Sequence, residues 1–423
     1  MDNASLARGG LWLTAGRIVA VVARFLVGLT VARLLGPEGR GQYALLVLVP
    51  TILVQFLNLG LGQANTFFLG RRRAPAGPIA ANSLLLGGIG GTVAVAVLLA
   101  VWKAWQPSFL PDISLPALAL SCMAVPFALV HFFASFALLG LGQIRRFGAL
   151  LFIEGASQLG YLAVFLILAD WGLLGAILAW SLTTMTCASV AVVWFVRPIL
   201  ASLRPDKSVL KDTLSYGLRI YPAAIMQYLN LRFDQFLVES LAGAVPLGLY
   251  AAAVSMTEAA WQMPIALSMV LFSRVSTTTD RQADVTTPRV LRATVAIAIL
   301  ECALLWLLGR YLIRSLFGSP FEAALPALIG LLPGTVFYAA GRILEGDLTG
   351  RGHPLIPSLA AGAALATTIG LDLFWIPRRG IEGAAWASSI AYALNALVLL
   401  VAFVRITGMG WLHLWRSHDQ VIQ

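Results

Sequence analysis

Five arginines sit inside long apolar runs of this chain: Arg17, Arg24, Arg219, Arg232 and Arg342. A guanidinium stays charged in an apolar setting and offers paired donors that match phosphate oxygens. At the centre of a bilayer it costs about 2.5–3.5 kcal/mol even on a lenient scale. Side chains of this kind should therefore line a wet cavity rather than face lipid. Arg17 and Arg24 are seven residues apart, which on a helix returns to within about 20° of one face. Two readings stand for Arg17, Arg24 and Arg232: they clamp an anionic ligand, or each pairs with a carboxylate and holds helices together. Arg17 is also near enough to its helix start to snorkel. Arg219 and Arg342, close to the ends of their runs, read as snorkelling anchors.

The acids in the same runs are Asp234, Glu258 and Glu301. They serve either as counter-ions or as groups that couple a process to protons or sodium. Asp234 lies two residues from Arg232, about 200° around a helix, so those two cannot pair. Glu154, Gln158 and Tyr161 follow the i, i+4, i+7 rule and share one helix face, suited to sugar hydroxyls or simply to water. His131 stands alone in an apolar run and reads as a core histidine. Cys122, Cys187 and Cys302 are isolated, with no CxxC or Cys/His metal spacing, so neither disulfides nor a metal site is expected. No Walker A, HExxH or Ser/His/Asp constellation is present, which argues against an enzyme.

These residues need elements to hold them. The chain is 59% hydrophobic and only 11% charged, with a mean hydropathy of +0.85. A soluble domain carries roughly 25% charged residues, so the solvent must be lipid. The net charge of +10 sits in short clusters between apolar runs, which fits a membrane surface and not nucleic acid. A span needs about 20 apolar residues. Spans are predicted at 10–34, 42–66, 79–103, 114–139, 149–169 and 173–196, then at 214–240, 245–273, 290–313, 322–346, 354–376 and 382–404. The fold class is all-α: a polytopic membrane protein of about twelve transmembrane helices. Pro126, Pro222, Pro264 and Pro333 are expected to kink their spans. Gly87 and Gly91 should let a neighbouring helix approach closely. Placing both termini in the cytoplasm puts Arg71, Arg72, Arg73, Arg145, Arg146, Arg204, Lys207 and Lys211 inside and leaves few basic residues outside. Residues 1–8 lack an apolar region and cleavage site of their own, so no removable signal is expected.

The halves match each other. Gly36 with Tyr43-Ala44 answers to Gly243 with Tyr250-Ala251, at an offset of 207. Gly140 and Gly142 answer to Gly350 and Gly352 at 210, and Gly172 with Gly175-Ala176 to Gly380 with Gly383-Ala384 at 208. Arg24-Phe25 aligns with Arg232-Phe233, also at 208. Shared loop chemistry at helix ends is the plainer alternative. A true repeat predicts two parallel six-helix halves, 1–205 and 206–423, forming one membrane domain around a central cavity.

The run Leu34-Leu35-Gly36-Pro37-Glu38-Gly39-Arg40-Gly41-Gln42-Tyr43 resembles the turn after the first helix of bacterial polysaccharide-biosynthesis flippases. These form the Wzx-like branch of the multidrug/oligosaccharidyl-lipid/polysaccharide exporter superfamily. Arg232-Phe233-Asp234-Gln235-Phe236-Leu237, Leu247-Gly248-Leu249-Tyr250-Ala251, and Leu328-Ile329-Gly330-Leu331-Leu332-Pro333-Gly334 are similar to the same family, so the resemblance spans the chain. It implies alternating-access transport of a polyprenyl-pyrophosphate-linked oligosaccharide from the cytoplasmic to the outer leaflet. Lipid II flippases usually carry two more helices. On this reading Arg17, Arg24 and Arg232 take the pyrophosphate, while Glu154, Gln158 and Tyr161 face the glycan. No cofactor is implied, but a proton or sodium gradient is a candidate drive. The implied location is the bacterial cytoplasmic (inner) membrane. Expected partners are membrane lipids, with polysaccharide polymerase and glycosyltransferases as further candidates and no nucleic acid. The alternative is a cation/multidrug antiporter of the same superfamily, whose cationic cargo an arginine-lined cavity would repel.

Overall fold

The computed structural model describes residues 3–105, 113–276 and 279–409. Asp112, His413, Arg416 and His418 lie outside the described residues. In chain order the α-helices are α1 (Asn3–Asn58), α2 (Leu61–Gly70), α3 (Ala76–Leu84), α4 (Gly91–Trp105), α5 (Leu115–Cys122) and α6 (Val125–Gly140). Then come α7 (Ile144–Leu162), α8 (Gly172–Val196), α9 (Lys207–Asn230), α10 (Phe233–Ala242) and α11 (Ala244–Ala260). The last are α12 (Gln262–Val275), α13 (Asp280–Leu316), α14 (Leu325–Gly350) and α15 (Leu355–Thr407). Short π-helical stretches, Leu85–Gly90 and Ala163–Leu168, continue α3 into α4 and extend α7. No strand occurs among the described residues.

Among the described residues, eight helical stretches are long and apolar enough to cross a membrane. At 1.5 Å per residue, the 56 residues of α1 and the 53 of α15 would each run about 80 Å, more than twice a hydrocarbon core of roughly 30 Å. Each is in fact two helices joined at a glycine, Gly36 (φ 69°, ψ −173°) and Gly380 (φ 57°, ψ −138°). Joining α2 to the second arm of α1, and the interrupted segments α3–α4, α5–α6, α9–α10 and α11–α12, gives twelve rods among the described residues, at the places the apolar runs predict.

The paired glycines share backbone conformations. Gly36 and Gly243 both combine positive φ with extended ψ (φ 94°, ψ −180° at Gly243). That region is essentially open to glycine alone. Gly142 and Gly352 (φ 72° and 88°), and Gly172 and Gly380 (φ 55° and 57°), repeat the correspondence. Positive φ thus recurs at all three paired positions.

Two details depart from the sequence expectation. The seventh and eighth spans are broken, at Leu231–Arg232 and at Trp261. The second is also broken, at Leu59–Gly60, where φ is 50° and 72°. Of the four prolines, Pro126 and Pro264 stand just after helix breaks, but Pro222 and Pro333 lie inside unbroken helices. Neighbouring helices therefore tolerate the lost backbone bond, as is common in membranes.

The chain divides into two compact units, Met1–Ile225 and Met226–Gln423. In the first, α1 lays Gly16, Ala20, Ala23 and Val27 on α7, where Gly148 and Gly155 admit the close approach. Gly87 and Gly91 meet Val130 and Pro126 of α6, the packing their spacing predicts. In the second, Gly330 and Gly334 of α14 abut Ala385 and Ser389 of α15. Ser389 donates to the Gly330 carbonyl at 2.6 Å and accepts from the Gly334 amide at 3.0 Å. Small residues with a hydroxyl between them are what binds helices where lipid supplies no hydrophobic drive.

Candidate functional site

In the first unit the α1–α7 contact fixes what the arginines do. With Gly16, Ala20, Ala23 and Val27 turned inward, Arg17 and Arg24 lie together on the flank of that buried face, about 80° around the helix from it, and both are exposed. Arg24 stands twelve residues before the Gly36 break, about 18 Å along the helix. It forms no ion pair with any described residue, although exposed apolar side chains, Val22 and Leu26, flank it. The face of α7 bearing Glu154, Gln158 and Tyr161 points into its own unit. Gln158 is buried and bonds Tyr43, and the Tyr161 hydroxyl is 2.9 Å from Thr186 Oγ1 on α8. Glu154 lies within electrostatic reach of His131 on α6.

In the second unit Arg232 occupies the break between α9 and α10 with a non-helical backbone (φ −137°, ψ −19°). Its repeat counterpart Arg24 lies in unbroken helix, so the sequence alignment of the two is not matched by like backbone. Arg232 Nη1 pairs with Glu258 Oε1 of α11 at 2.7 Å, both side chains about a third exposed. Asp234, two residues on, does not join that pair. It is buried and accepts from the Tyr250 hydroxyl at 2.6 Å, from Ser388 at 3.3 Å and from the Gln235 amide at 2.7 Å. Glu301 on α13 belongs to neither group, and its Oε2 is buried without a hydrogen bond.

Two features escaped the sequence. Asp372 of α15 is fully buried, close to Asp234 and Tyr250, and neither of its carboxylate oxygens has a hydrogen-bond partner. It lies four residues from the predicted end of its span, where an acid reads as interfacial. Arg342, expected to snorkel, instead pairs with Glu345 at 2.7 Å, and Gln227 of α9 reaches both Glu345 oxygens at 3.3 and 3.4 Å. The i, i+3 spacing of Arg342 and Glu345 is the one signal that could have revealed this.

A buried carboxylate is costly unless paired or neutralised. Asp372 beside Asp234 makes a place with two acidic groups, hydroxyls from Tyr250 and Ser388, and no basic side chain bonded to either acid. One proton or one small cation would offset that charge. The exposed arginine face of α1 is the opposite: it offers charge-assisted donors to an anion.

The profile of a family described as polysaccharide biosynthesis protein matches residues 30–326. No curated protein matches this sequence. Among solved structures, the chain resembles an inward-facing multidrug resistance MATE family transporter of the MOP superfamily, at 17% identity and TM-score 0.77, over 92% of this chain and 95% of that one. It resembles the lipid II flippase MurJ in an inward closed conformation equally well, at 14% identity and TM-score 0.77, over 93% and 87%. A MOP superfamily transporter from Pyrococcus furiosus, described as having a binding pocket of reverse polarity, aligns at 14% identity and TM-score 0.63 over 97% and 96%. These likenesses carry the fold.

Proposed function

The chain belongs to the polysaccharide biosynthesis protein family, and on that premise we propose that it flips a polyprenyl-pyrophosphate-linked oligosaccharide across the cytoplasmic membrane of a bacterium by alternating access. Family and fold neighbours are transporters and flippases, not enzymes, and the chain is a multi-pass membrane protein. The observation that carries the cargo reading is Arg24: exposed, deep in an apolar helix, on one face with Arg17. An arginine so placed is tenable against water or an anionic ligand, and a pyrophosphate supplies the anion. The oligosaccharide moves to the outer leaflet, where surface-polysaccharide polymerases take it; glycosyltransferases supply it on the cytoplasmic side, which also holds both termini.

The Asp234–Asp372 pair supports coupling to an ion gradient. On this reading a proton or sodium ion enters between them and its release is tied to the conformational cycle. The same acids favour the second reading, a cation/multidrug antiporter with this fold, because an acidic site also takes organic cations. Proteoliposomes holding the full-length protein separate the two. Leaflet exchange of a fluorescent polyprenyl-pyrophosphate oligosaccharide, accelerated by a sodium or pH gradient, is the expected result. Gradient-driven efflux of a cationic dye without lipid exchange would replace the flippase reading with the antiporter.

A further inference from the structure

The first unit carries a groove of about 760 Å³ between the α3–α4 rod, α6 and α8. That lies in the upper half of the roughly 300–1,000 Å³ typical of small-molecule sites. Its wall offers the aliphatic side chains of Ile89 and Val93, the Met123 thioether and the Phe127 ring. Ile89, Val93 and Met123 are more than half exposed, so the groove opens toward lipid. Its hydroxyls are turned onto their own helices: Thr92 donates to the Gly88 carbonyl at 2.7 Å and Ser189 to the Met185 carbonyl at 2.8 Å. No charged side chain lines it among the described residues. A charged group would find no partner there, and a sugar would leave its hydroxyls unbonded. A hydrocarbon chain loses nothing.

The backbone keeps this groove open. The rod is π-helical from Leu85 to Gly90, a distortion that recurs at functional sites. Within that stretch Gly87 is required by packing, since an added Cβ would stand 2.9 Å from the Val130 side chain of α6. Gly88 is not: its backbone is helical, and an added Cβ would meet nothing within 4 Å. Glycine in a helix interior is less stable than alanine. Neither packing nor stability accounts for the missing side chain, whereas any side chain at Gly88 would stand in the groove.

Length and charge identify the occupant. On the α3–α4 rod the groove runs from Leu84 to Val95, about 16 Å at 1.5 Å per residue. It is centred on the middle of the span Ala76–Ala104, so it lies across the bilayer midplane. An ordinary acyl chain ends near that plane, about 15 Å into the hydrocarbon; a polyprenyl chain is longer than a leaflet and passes through it. The groove helices also share one basic end. Exposed Arg71, Arg72 and Arg73 precede α3, Arg145 and Arg146 follow α6, and Arg197 follows α8. Gly77 of α3 abuts Ser202 beyond α8, and Arg146 donates to the Trp194 carbonyl of α8 at 3.2 Å, which brings these ends together. An anionic head belongs at such an edge.

We propose that the groove holds the polyprenyl tail of the transported lipid at the midplane, with the phosphate end of that lipid approaching from the basic side. This identification rests on the flippase reading. A tail gripped near the midplane stays in place while the head crosses, so the groove acts as a pivot.

The test uses the full-length protein in phosphatidylcholine nanodiscs and a polyprenyl phosphate carrying a photoreactive diazirine in mid-tail. Peptide mass spectrometry should find adducts on α4 and α6 around Val93 and Phe127. Gly88→Leu fills the groove and should cut their yield about tenfold, what displacing two buried methylenes amounts to. Ser189→Leu fills it from α8 and should act alike. Gly90→Leu is the control, because its added Cβ also meets nothing within 4 Å but stands outside the groove. It should keep the wild-type yield, and all three variants should melt at or above the wild type. Adducts elsewhere, or yields indifferent to both filling variants, overturn the groove. Displacement of the probe by equimolar phosphatidylglycerol would make it a site for ordinary anionic phospholipid and overturn the polyprenyl assignment. A second arm measures leaflet exchange of the fluorescent polyprenyl-pyrophosphate oligosaccharide in proteoliposomes. Exchange slowed in Gly88→Leu but not in Gly90→Leu supports groove and cargo together. Exchange at the wild-type rate in Gly88→Leu overturns the pivot and leaves the flippase reading standing. Groove adducts without exchange by the wild type keep the polyprenyl site and remove the flippase reading.

Discussion

At the scale of single residues, the second unit keeps groups that stability alone would not select. Asp372 is buried with both oxygens unsatisfied, and a polar group so placed costs about 1–3 kcal/mol. Asp372→Leu should therefore raise the melting temperature while removing the gradient dependence of transport; a lower melting temperature would mean that the carboxyl has a stabilising partner. The Arg232–Glu258 pair makes a second prediction. Glu258→Gln leaves a half-buried guanidinium uncompensated and should lower the melting temperature, whereas replacing both members by Met should recover part of the loss. A double variant no more stable than Glu258→Gln would contradict this. Neither arrangement is legible in the sequence, because each partner lies on a different helix and nothing in the spacing of Arg232 and Glu258 announces their meeting. Arg24 is the contrast: the same-face placement of Arg17 and Arg24 follows from helical geometry alone, and the small residues Gly16, Ala20 and Ala23 indicate which side is buried.

At the scale of elements, glycines do the punctuation. Gly243, at φ 94° and ψ −180°, separates α10 from α11 in a conformation other residues avoid. Gly243→Ala should destabilise the protein by about 1–3 kcal/mol. Gly160, in helical backbone with nothing near its added methyl, should accept alanine with no loss and a gain of up to about 1 kcal/mol. Thermal melts of the two variants check both signs, and equal effects would deny that backbone conformation decides. The paired glycines were readable in the sequence because only glycine serves at such turns. The breaks at Leu59–Gly60 and Leu231–Arg232 were not, since each falls inside a predicted span and no proline marks them. Of the prolines, Pro126 and Pro264 stand at helix breaks, whereas Pro222 and Pro333 lie inside continuous helices.

At the scale of the whole molecule, lipid as solvent makes the architecture legible. Every backbone group in the hydrocarbon must be bonded within its own helix, so apolar length translates directly into spans. Cargo is less legible, because the same fold serves multidrug transporters and a lipid II flippase, and the difference lies in a few charges. The account therefore turns on whether the arginine face of α1 meets an anion. The measurement that tests this most directly is leaflet exchange of a fluorescent polyprenyl-pyrophosphate oligosaccharide in proteoliposomes, comparing wild type with Arg24→Ala and Arg24→Lys. Loss of about tenfold to a hundredfold in Arg24→Ala is expected, the weight of one charge-assisted hydrogen bond, with partial retention in Arg24→Lys and unchanged melting in both. Wild-type exchange rates in Arg24→Ala would contradict it.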